Sequence, residues 1–313
     1  MIYDLFSNKR VTLAIVAVVA TVVAIASLLT IYDSASYFFD GGDDELVNEI
    51  VEGISDSVVS ELSYETGSDE YFYVFNDCYD TWGNVAKVKI AGDISTGGYY
   101  VTEEGDSISE EVSPEEIIFY LNEIDNDNTF SAIILSIDSL GGYPVPSEQI
   151  AKAIKQIEKP VVVVVESYAD SGAYIIASSA DYIFASKLSE VGAIGVTMSY
   201  LDYSTQNLHE GIKYNSLSSG KFKDTGDPDK TLTYEERNLL MRDVNKMHDI
   251  VVEMIAENRN LSVEEVQKLA DGSTMLGEDA LANKLIDEIG GEYEAMQWLA
   301  GELNEEVSVC NYN

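Results

Sequence analysis

The stretch Lys159-Pro-Val-Val-Val-Val-Val-Glu-Ser-Tyr-Ala-Asp-Ser-Gly172 carries the strongest fold signal in this chain. Its five consecutive valines, residues 161–165, are bounded by Pro160 and Glu166. β-Branched residues favour extended backbone, and an unbroken apolar run is typical of a strand that is buried on both faces of a parallel sheet. The sequence therefore predicts a central strand over 161–165, then a loop, then a short apolar helix over 175–179.

The segments before this strand alternate between strand and helix patterns. Residues 85–90 alternate like a half-buried strand, and 132–135 form a short apolar run. Ser113-Pro-Glu-Glu116 is typical of a helix start, with a capping serine, a first-turn proline and two acids, and this helix should end near residue 124. A second helix is predicted over 147–157. This order predicts an α/β fold with a parallel sheet and right-handed crossovers.

Two of the predicted loops contain residues suited to chemistry. They are Asp138-Ser-Leu-Gly-Gly142 and the segment 166–174, which includes Ser171 and Gly172. In open parallel sheets, ligands bind at the carboxyl ends of the strands, where both loops would lie. A serine in the first helical turn, with glycines that allow close backbone approach, could act as a nucleophile beside an oxyanion hole. From the residues alone, a capping serine and an ordinary Gly-Gly turn remain the alternative.

A serine nucleophile requires a base. The two histidines, His209 and His248, lie in charge-rich amphipathic stretches that are typical of surface positions, so a Ser-His-Asp triad is poorly supported. A lysine can replace histidine when burial favours its neutral form. Lys221 and Lys223, within the stretch 218–224, are the candidates, although by composition both could be surface lysines.

The N-terminal region is typical of a membrane anchor. Residues 11–31 contain no charge and would span about 30 Å as a helix, which is the thickness of a bilayer core. Lys9 and Arg10 precede this segment, so the positive-inside rule places residues 1–10 in the cytoplasm and the rest of the chain outside it. A cleaved signal peptide is the alternative, but 21 uncharged residues exceed the length usual for one.

We therefore predict four regions. Residues 1–10 form a cytoplasmic N-terminus, 11–32 a single transmembrane anchor, 33–84 a linker or stalk, and 85–313 the main domain. Within the linker, residues 46–62 have near-helical apolar spacing and residues 71–75 are typical of a strand.

Composition narrows the function classes. The 313 residues contain 56 Asp and Glu against 18 Lys and Arg, a net charge of −38, which would repel the phosphates of nucleic acids. Such acidity is also what a salt-rich environment favours.

Cys78 and Cys310 could form a disulfide outside the cytoplasm, but the sequence does not establish this pairing. Residues 125–136 lack the glycine and the glutamate of an EF-hand calcium loop, so no metal site is predicted. The sequence also predicts no cofactor.

Several motifs, in order, resemble those of the signal peptide peptidase A family, which are membrane-anchored serine proteases. The resemblance covers roughly residues 85–292. Its motifs are Asp138-Ser-Leu-Gly-Gly142 for the family's N-S-P-G-G, Ala169-Asp-Ser-Gly-Ala-Tyr174 for A-A-S-G-G-Y, Gly192-Ala-Ile-Gly-Val196 for G-S-I-G-V, Ser219-Gly-Lys-Phe-Lys-Asp224 for S-G-x-x-K-D, and Ala270-Asp-Gly272 with residues 277–290 for the closing motif.

The resemblance implies a role for each matched residue. Ser171 would be the nucleophile, Lys223 the general base, and the backbone N–H groups of Gly142 and Gly172 the oxyanion hole. The implied fold is a Clp protease/crotonase-like spiral of ββα units, often assembled as homo-oligomeric rings. The implied substrates are remnant signal peptides, with misfolded exported proteins as a second class, cleaved outside the cytoplasm.

The chain also departs from the family pattern. Ala193 stands where the family has a serine that hydrogen-bonds the lysine, which leaves Ser139 or Thr197 as candidate partners. Asp170 replaces an alanine; it would disfavour a neutral lysine if it points inward, or it could favour the helix dipole as a cap. These departures motivate an alternative, a catalytically weakened member acting as a membrane-anchored scaffold. A crotonase-type acyl-CoA enzyme is disfavoured because the sequence contains no cluster of basic residues that could bind the CoA phosphates.

Overall fold

The computed structural model of this protein describes Cys78, residues 83–96 and residues 111–313. The predicted anchor at 11–32, the helix at 46–62 and the strand at 71–75 lie outside these residues. Among the residues described, no helix combines the length and the apolar composition that crossing a bilayer requires.

The described chain contains ten strands and eight helices, which alternate strictly from Glu111 to Ala185 and again from Val263 to Asn311. The strands are β1 (Val85–Ala91), β2 (Asp93–Ile94), β3 (Glu111–Val112), β4 (Ala132–Ser139), β5 (Val161–Asp170), β6 (Tyr182–Ala185), β7 (Glu190–Gly192), β8 (Thr274–Leu276), β9 (Glu288–Ile289) and β10 (Val309–Asn311). The helices are α1 (Pro114–Asn126), α2 (Pro144–Ile154), α3 (Gly172–Ser178), α4 (Ser204–His209), α5 (Tyr234–Arg259), α6 (Val263–Leu269), α7 (Gly277–Ala282) and α8 (Glu292–Leu303).

The main sheet has the strand order β10-β1-β4-β5-β6-β9, and all these pairs are parallel. The valine run of β5 pairs with β4 on one side and β6 on the other. Val161, Val163 and Val165 enter a large core that includes buried residues of α1, α2 and α3. Val162 and Val164 enter a second core with residues of α8. The predicted α/β class and the strand buried on both faces are therefore confirmed.

β5 is longer than predicted, because it continues through residues 166–170 instead of ending in a loop. Its pairing with β6 stops at Val165, and β7 then takes over with the register Tyr168–Glu190, Ala169–Val191 and Asp170–Gly192. The new partner supplies the hydrogen bonds that keep the strand extended up to Ser171.

Helix α2 also differs from its prediction, since it spans Pro144–Ile154 rather than 147–157. Proline is well suited to the first helical position because its missing N–H has no intrahelical partner there. The predicted helix over 113–124 corresponds to α1, which has Ser113 at its N-cap position.

A disulfide joins Cys78 to Cys310 of β10, with their Cα atoms 4.8 Å apart. It links a residue that precedes β1 to the strand paired with β1 at that edge of the sheet. The sequence left this pairing open, and the structure contains it. Disulfides persist mainly in oxidising compartments, outside the cytoplasm.

Residues 197–250, here called the arm, lie between two well-buried parts of the chain but contribute little to either core. Glu236 is the one buried residue in this range, all of which the structure describes. Many of its large apolar side chains are exposed, among them Met198, Tyr200, Leu201, Leu208, Ile212, Leu217 and Phe222.

Candidate active site

Ser171 lies in the tight connection between β5 and α3. Its backbone has φ 51° and ψ −116°, a conformation that non-glycine residues rarely adopt. The surroundings hold this geometry: the Ser171 N–H donates to Gly192 O at 2.7 Å, and Ser171 O accepts from the N–H groups of Tyr174 and Ile175 at 3.1 Å. Ser171 is partly exposed, and among the described residues its hydroxyl has no hydrogen-bond partner. Strained backbone of this kind often occurs at functional sites.

The loop Gly141-Gly142 lies against this connection and is fixed by the backbone of Ile94. Ile94 N–H donates to Gly141 O at 3.0 Å, and Ile94 O accepts from Tyr143 N–H at 2.8 Å. Gly141 has φ +101°, and a Cβ at Gly142 would lie only 2.0 Å from Ile94 O. Both positions therefore require glycine, one for its conformation and the other for the close backbone approach.

Gly142 and Gly172 bring two backbone N–H groups to the serine. An added Cβ on Gly172 would lie 3.1 Å from Gly142 N, so the two backbones approach closely. Within residues 83–96 and 111–313, neither N–H donates a hydrogen bond. Two unused donors beside a serine hydroxyl are the arrangement that can stabilise an oxyanion.

Lys223 does not join this group within a single chain. It lies in the turn residues 221–226 of the arm, is exposed, and its side chain forms no hydrogen bond or ion pair with any described residue, Ser171 included. Its loop is held by Tyr214, whose hydroxyl donates to Asp224 and Asp227 at 3.2 Å each. Lys221, the other candidate, pairs with Glu235 at 2.7 Å.

The histidines form no hydrogen bond with Ser171 either. His209 ends α4 and is exposed, and the His248 Nε2 atom lies 3.0 Å from Gln267 Nε2. The structure thus brings together Ser171, Gly142 and Gly172 of the predicted set, and leaves Lys223, the predicted base, on the arm.

Asp170 points into the protein. The residue is only 4% exposed, and its Oδ1 atom is buried with no hydrogen-bond partner among the described residues. Burial raises the pKa of Asp170 to about 6, and the negative charge of Glu190 on β7 adds to the effect. Of the two possibilities that the sequence left open, the inward orientation is the one observed.

The sequence suggested Ser139 and Thr197 as hydrogen-bond partners of Lys223, and neither of them bonds Lys223 in the described chain. Ser139 Oγ donates to Gly92 O at 2.6 Å and accepts from Gly141 N–H at 3.0 Å, so its proton is already committed. Thr197 is exposed, with its hydroxyl 3.5 Å from that of Ser199. Sequence reasoning also missed Ile94, whose contribution is made by backbone atoms and leaves no residue-type signal, and it noted Gly192 only as part of a motif.

Comparisons with known proteins support the family resemblance that the sequence motifs indicate. Residues 153–306 match the sequence model of Peptidase family S49. A protein of Methanocaldococcus jannaschii with a provisional protease name is 35% identical over 231 residues, which cover 71% of this chain and 73% of the relative. A protein of Enterococcus faecium, provisionally named a signal peptide peptidase, is 30% identical and covers 76% of this chain and 71% of the relative.

A solved structure gives a more distant match. A point mutant of ClpP1 from Listeria monocytogenes aligns with a TM-score of 0.43 and 17% identity, over 66% of this chain and 92% of that one.

We predict that Gly142→Ala destabilises the protein, because its Cβ would overlap Ile94 O and force two backbone segments apart. Overpacking of this kind typically costs about 1–3 kcal/mol. The measurement is chemical denaturation of the variant beside Gly301→Ala, whose added Cβ meets nothing within 4 Å. Equal stability of the two variants would contradict the close approach described here.

Proposed function

The chain belongs to peptidase family S49, and from this premise we propose that it is a membrane-bound serine endopeptidase with Ser171 as nucleophile and Lys223 as general base. One observation carries the proposal: the Ser171 hydroxyl is held at a strained strand–helix connection beside two backbone N–H groups that have no acceptor in the described chain. A serine that merely capped a helix would bond a nearby N–H, and no such bond forms at α3.

The proposed reaction assigns one step to each of these groups. Ser171 Oγ attacks a peptide carbonyl, and neutral Lys223 accepts the hydroxyl proton. The N–H groups of Gly142 and Gly172 bind the oxyanion. Lys223 then returns the proton to the leaving amine, and water, deprotonated by the same lysine, hydrolyses the acyl-enzyme.

We propose that a second copy of the chain completes the site. Lys223 is exposed on the arm and unpaired with Ser171 in one chain, and the arm exposes many large apolar side chains. Contiguous exposed apolar surface marks an interaction site. Packing of the arm on a neighbouring copy would bury this surface and bring the neighbour's lysine to Ser171, in a closed ring that shelters the sites. A Clp protease/crotonase-like spiral of ββα units is the fold we infer for such a ring.

The proposed substrates are remnant signal peptides, with misfolded exported proteins as a second class. Apolar side chains flank the site: Leu140 is 63% exposed, Tyr143 68% and Tyr168 39%. Such side chains suit an apolar peptide. The uncharged segment 11–31 supports a membrane anchor, and the Cys78–Cys310 disulfide supports a domain outside the cytoplasm.

Ser171→Ala and Lys223→Ala are each expected to lower peptide hydrolysis by at least about 10²–10⁴-fold, since each removes a group that acts in the transition state. The assay uses the full-length protein in detergent, across a range of salt concentrations because the surface is strongly acidic. Lys221→Ala is the matched control, because Lys221 pairs with Glu235, and it should retain activity. A folded wild-type oligomer without turnover at any salt would instead favour the membrane-anchored scaffold.

Mixing Ser171→Ala with Lys223→Ala subunits tests the contribution of the second copy. If the lysine comes from a neighbour, random co-assembly regenerates about one intact site in four, whereas a dyad within one chain regenerates none. The measurement is turnover of co-expressed variants, compared with each variant expressed alone. Zero recovery from verified mixed oligomers would place both residues in the same chain.

We expect the protein to remain in the membrane fraction after an alkaline carbonate wash, and deletion of residues 1–32 to release it. In the same cells, Cys78 and Cys310 should react with a maleimide only after reduction, because the disulfide protects both thiols. Free thiols in freshly lysed cells would contradict a location outside the cytoplasm.

A further inference from the structure

The buried carboxyl group beside the nucleophile has a function still to be assigned. Asp170 directly precedes Ser171, is 4% exposed, and has one buried oxygen without a hydrogen-bond partner among the described residues. Buried polar groups in folded proteins are nearly always paired, because an unpaired one loses its hydration without compensation. Neither carboxyl oxygen has a donor in the described chain, and because Oδ1 is enclosed, a donor from outside would reach the carboxyl group through Oδ2.

The elements packed around Asp170 contain no cation to meet it within the described chain. Gly192 lies opposite Asp170 on β7 and has no side chain. Glu190, also on β7, is acidic and accepts a hydrogen bond from the Thr274 hydroxyl at 3.0 Å. On β4, Asp138 is also acidic and accepts from Ser167 N–H at 3.2 Å. The β8 residues Thr274–Leu276 carry no charge. A lysine side chain that reached Asp170 would therefore meet a carboxyl group that no other cation of the described chain contacts.

Lys223 is the matching donor. Its side chain has neither a hydrogen bond nor an ion pair among the described residues, whereas Lys221 and Lys230 of the arm are paired with carboxylates. Lys213 and Lys246 of the arm are likewise without a side-chain partner there, and the motif position of Lys223 distinguishes it from them. A base must lie within hydrogen-bond reach of the nucleophile, and Asp170 is the adjacent residue. A third group that orients the base is a recurring feature of activated nucleophiles.

We propose that Asp170 is the positioning residue for the base: its carboxylate accepts a hydrogen bond from Lys223 Nζ and holds that atom against Ser171 Oγ. This inference rests on the proposed function, in which Lys223 is the base. During acylation the proton moves from Ser171 Oγ to Nζ, the new bond joins Oγ to the substrate carbonyl carbon, and Asp170 stays ionised beside the ammonium that forms.

The arrangement has a consequence for pH dependence. A carboxylate beside the lysine stabilises its charged form, so neutral base becomes available only at higher pH. Without a cation, the pKa of Asp170 is raised to about 6 by burial and by Glu190, and an adjacent ammonium would lower it. The enzyme should consequently have an alkaline-shifted acidic limb in its kcat/KM profile.

The test is kcat/KM of the full-length protein between pH 5 and pH 10 at fixed high salt. Asp170→Asn keeps an oxygen acceptor and removes the charge, so the acidic limb should move to lower pH by about 1–3 units with activity largely kept at high pH. Asp170→Ala also removes the acceptor, and the plateau should fall about 10²-fold because the base is no longer positioned.

Glu166→Gln is the matched control. It removes one negative charge from the same strand, but Glu166 is exposed and accepts from the Ser136 hydroxyl at 2.9 Å. Its profile should coincide with that of the wild type, which separates a local effect from a change in net charge.

The outcomes distinguish this inference from the proposed function. A profile of Asp170→Asn that superimposes on the wild type, with Lys223→Ala inactive, would overturn the role of Asp170 and leave the Ser–Lys dyad standing. Full activity of Lys223→Ala would overturn both. If Asp170→Ala does not fold, the isosteric Asp170→Asn decides the question, because a purely structural role would not move the limb.

Discussion

The double-sided burial of β5 is the constraint on which the rest of this structure depends. Its valines enter two separate cores alternately, so both faces of the strand are covered and the strand lies in the middle of the domain. With β5 fixed between β4 and β6, the ends of these parallel strands must lie at the same edge of the sheet. The Gly-Gly loop after β4 and the serine after β5 meet there for that reason.

A change of partner along β5 gives the site its shape. The strand leaves β6 after Val165 and continues on β7, with a register shift on its β4 side between Ile137 and Ser139. Gly192 at the end of β7 then accepts the Ser171 N–H and helps to hold the serine at positive φ. The strained backbone at Ser171 is therefore supported by strand pairing that begins well before it.

Much of this could be predicted from the sequence where residue type and physical cause coincide. The valine run, the proline-led start of α1 and the loop glycines all carry a local signal, and the order of motifs identified the family. Other features have no such signal. The orientation of Asp170 depends on the partner of β5, the contribution of Ile94 is made by its backbone, and the Cys78–Cys310 pairing depends on β10 lying beside β1.

The donors of the proposed oxyanion hole are main-chain groups, and main-chain groups fix them on both sides, Ile94 on one and Gly192 on the other, together with the Ser139 hydroxyl, which accepts from Gly141 N–H. Most side chains around the serine can therefore be exchanged without displacing these N–H groups, provided the glycines and Ser139 remain. The aspartate at position 170, where the family motif has alanine, therefore leaves the positions of these two N–H groups unchanged.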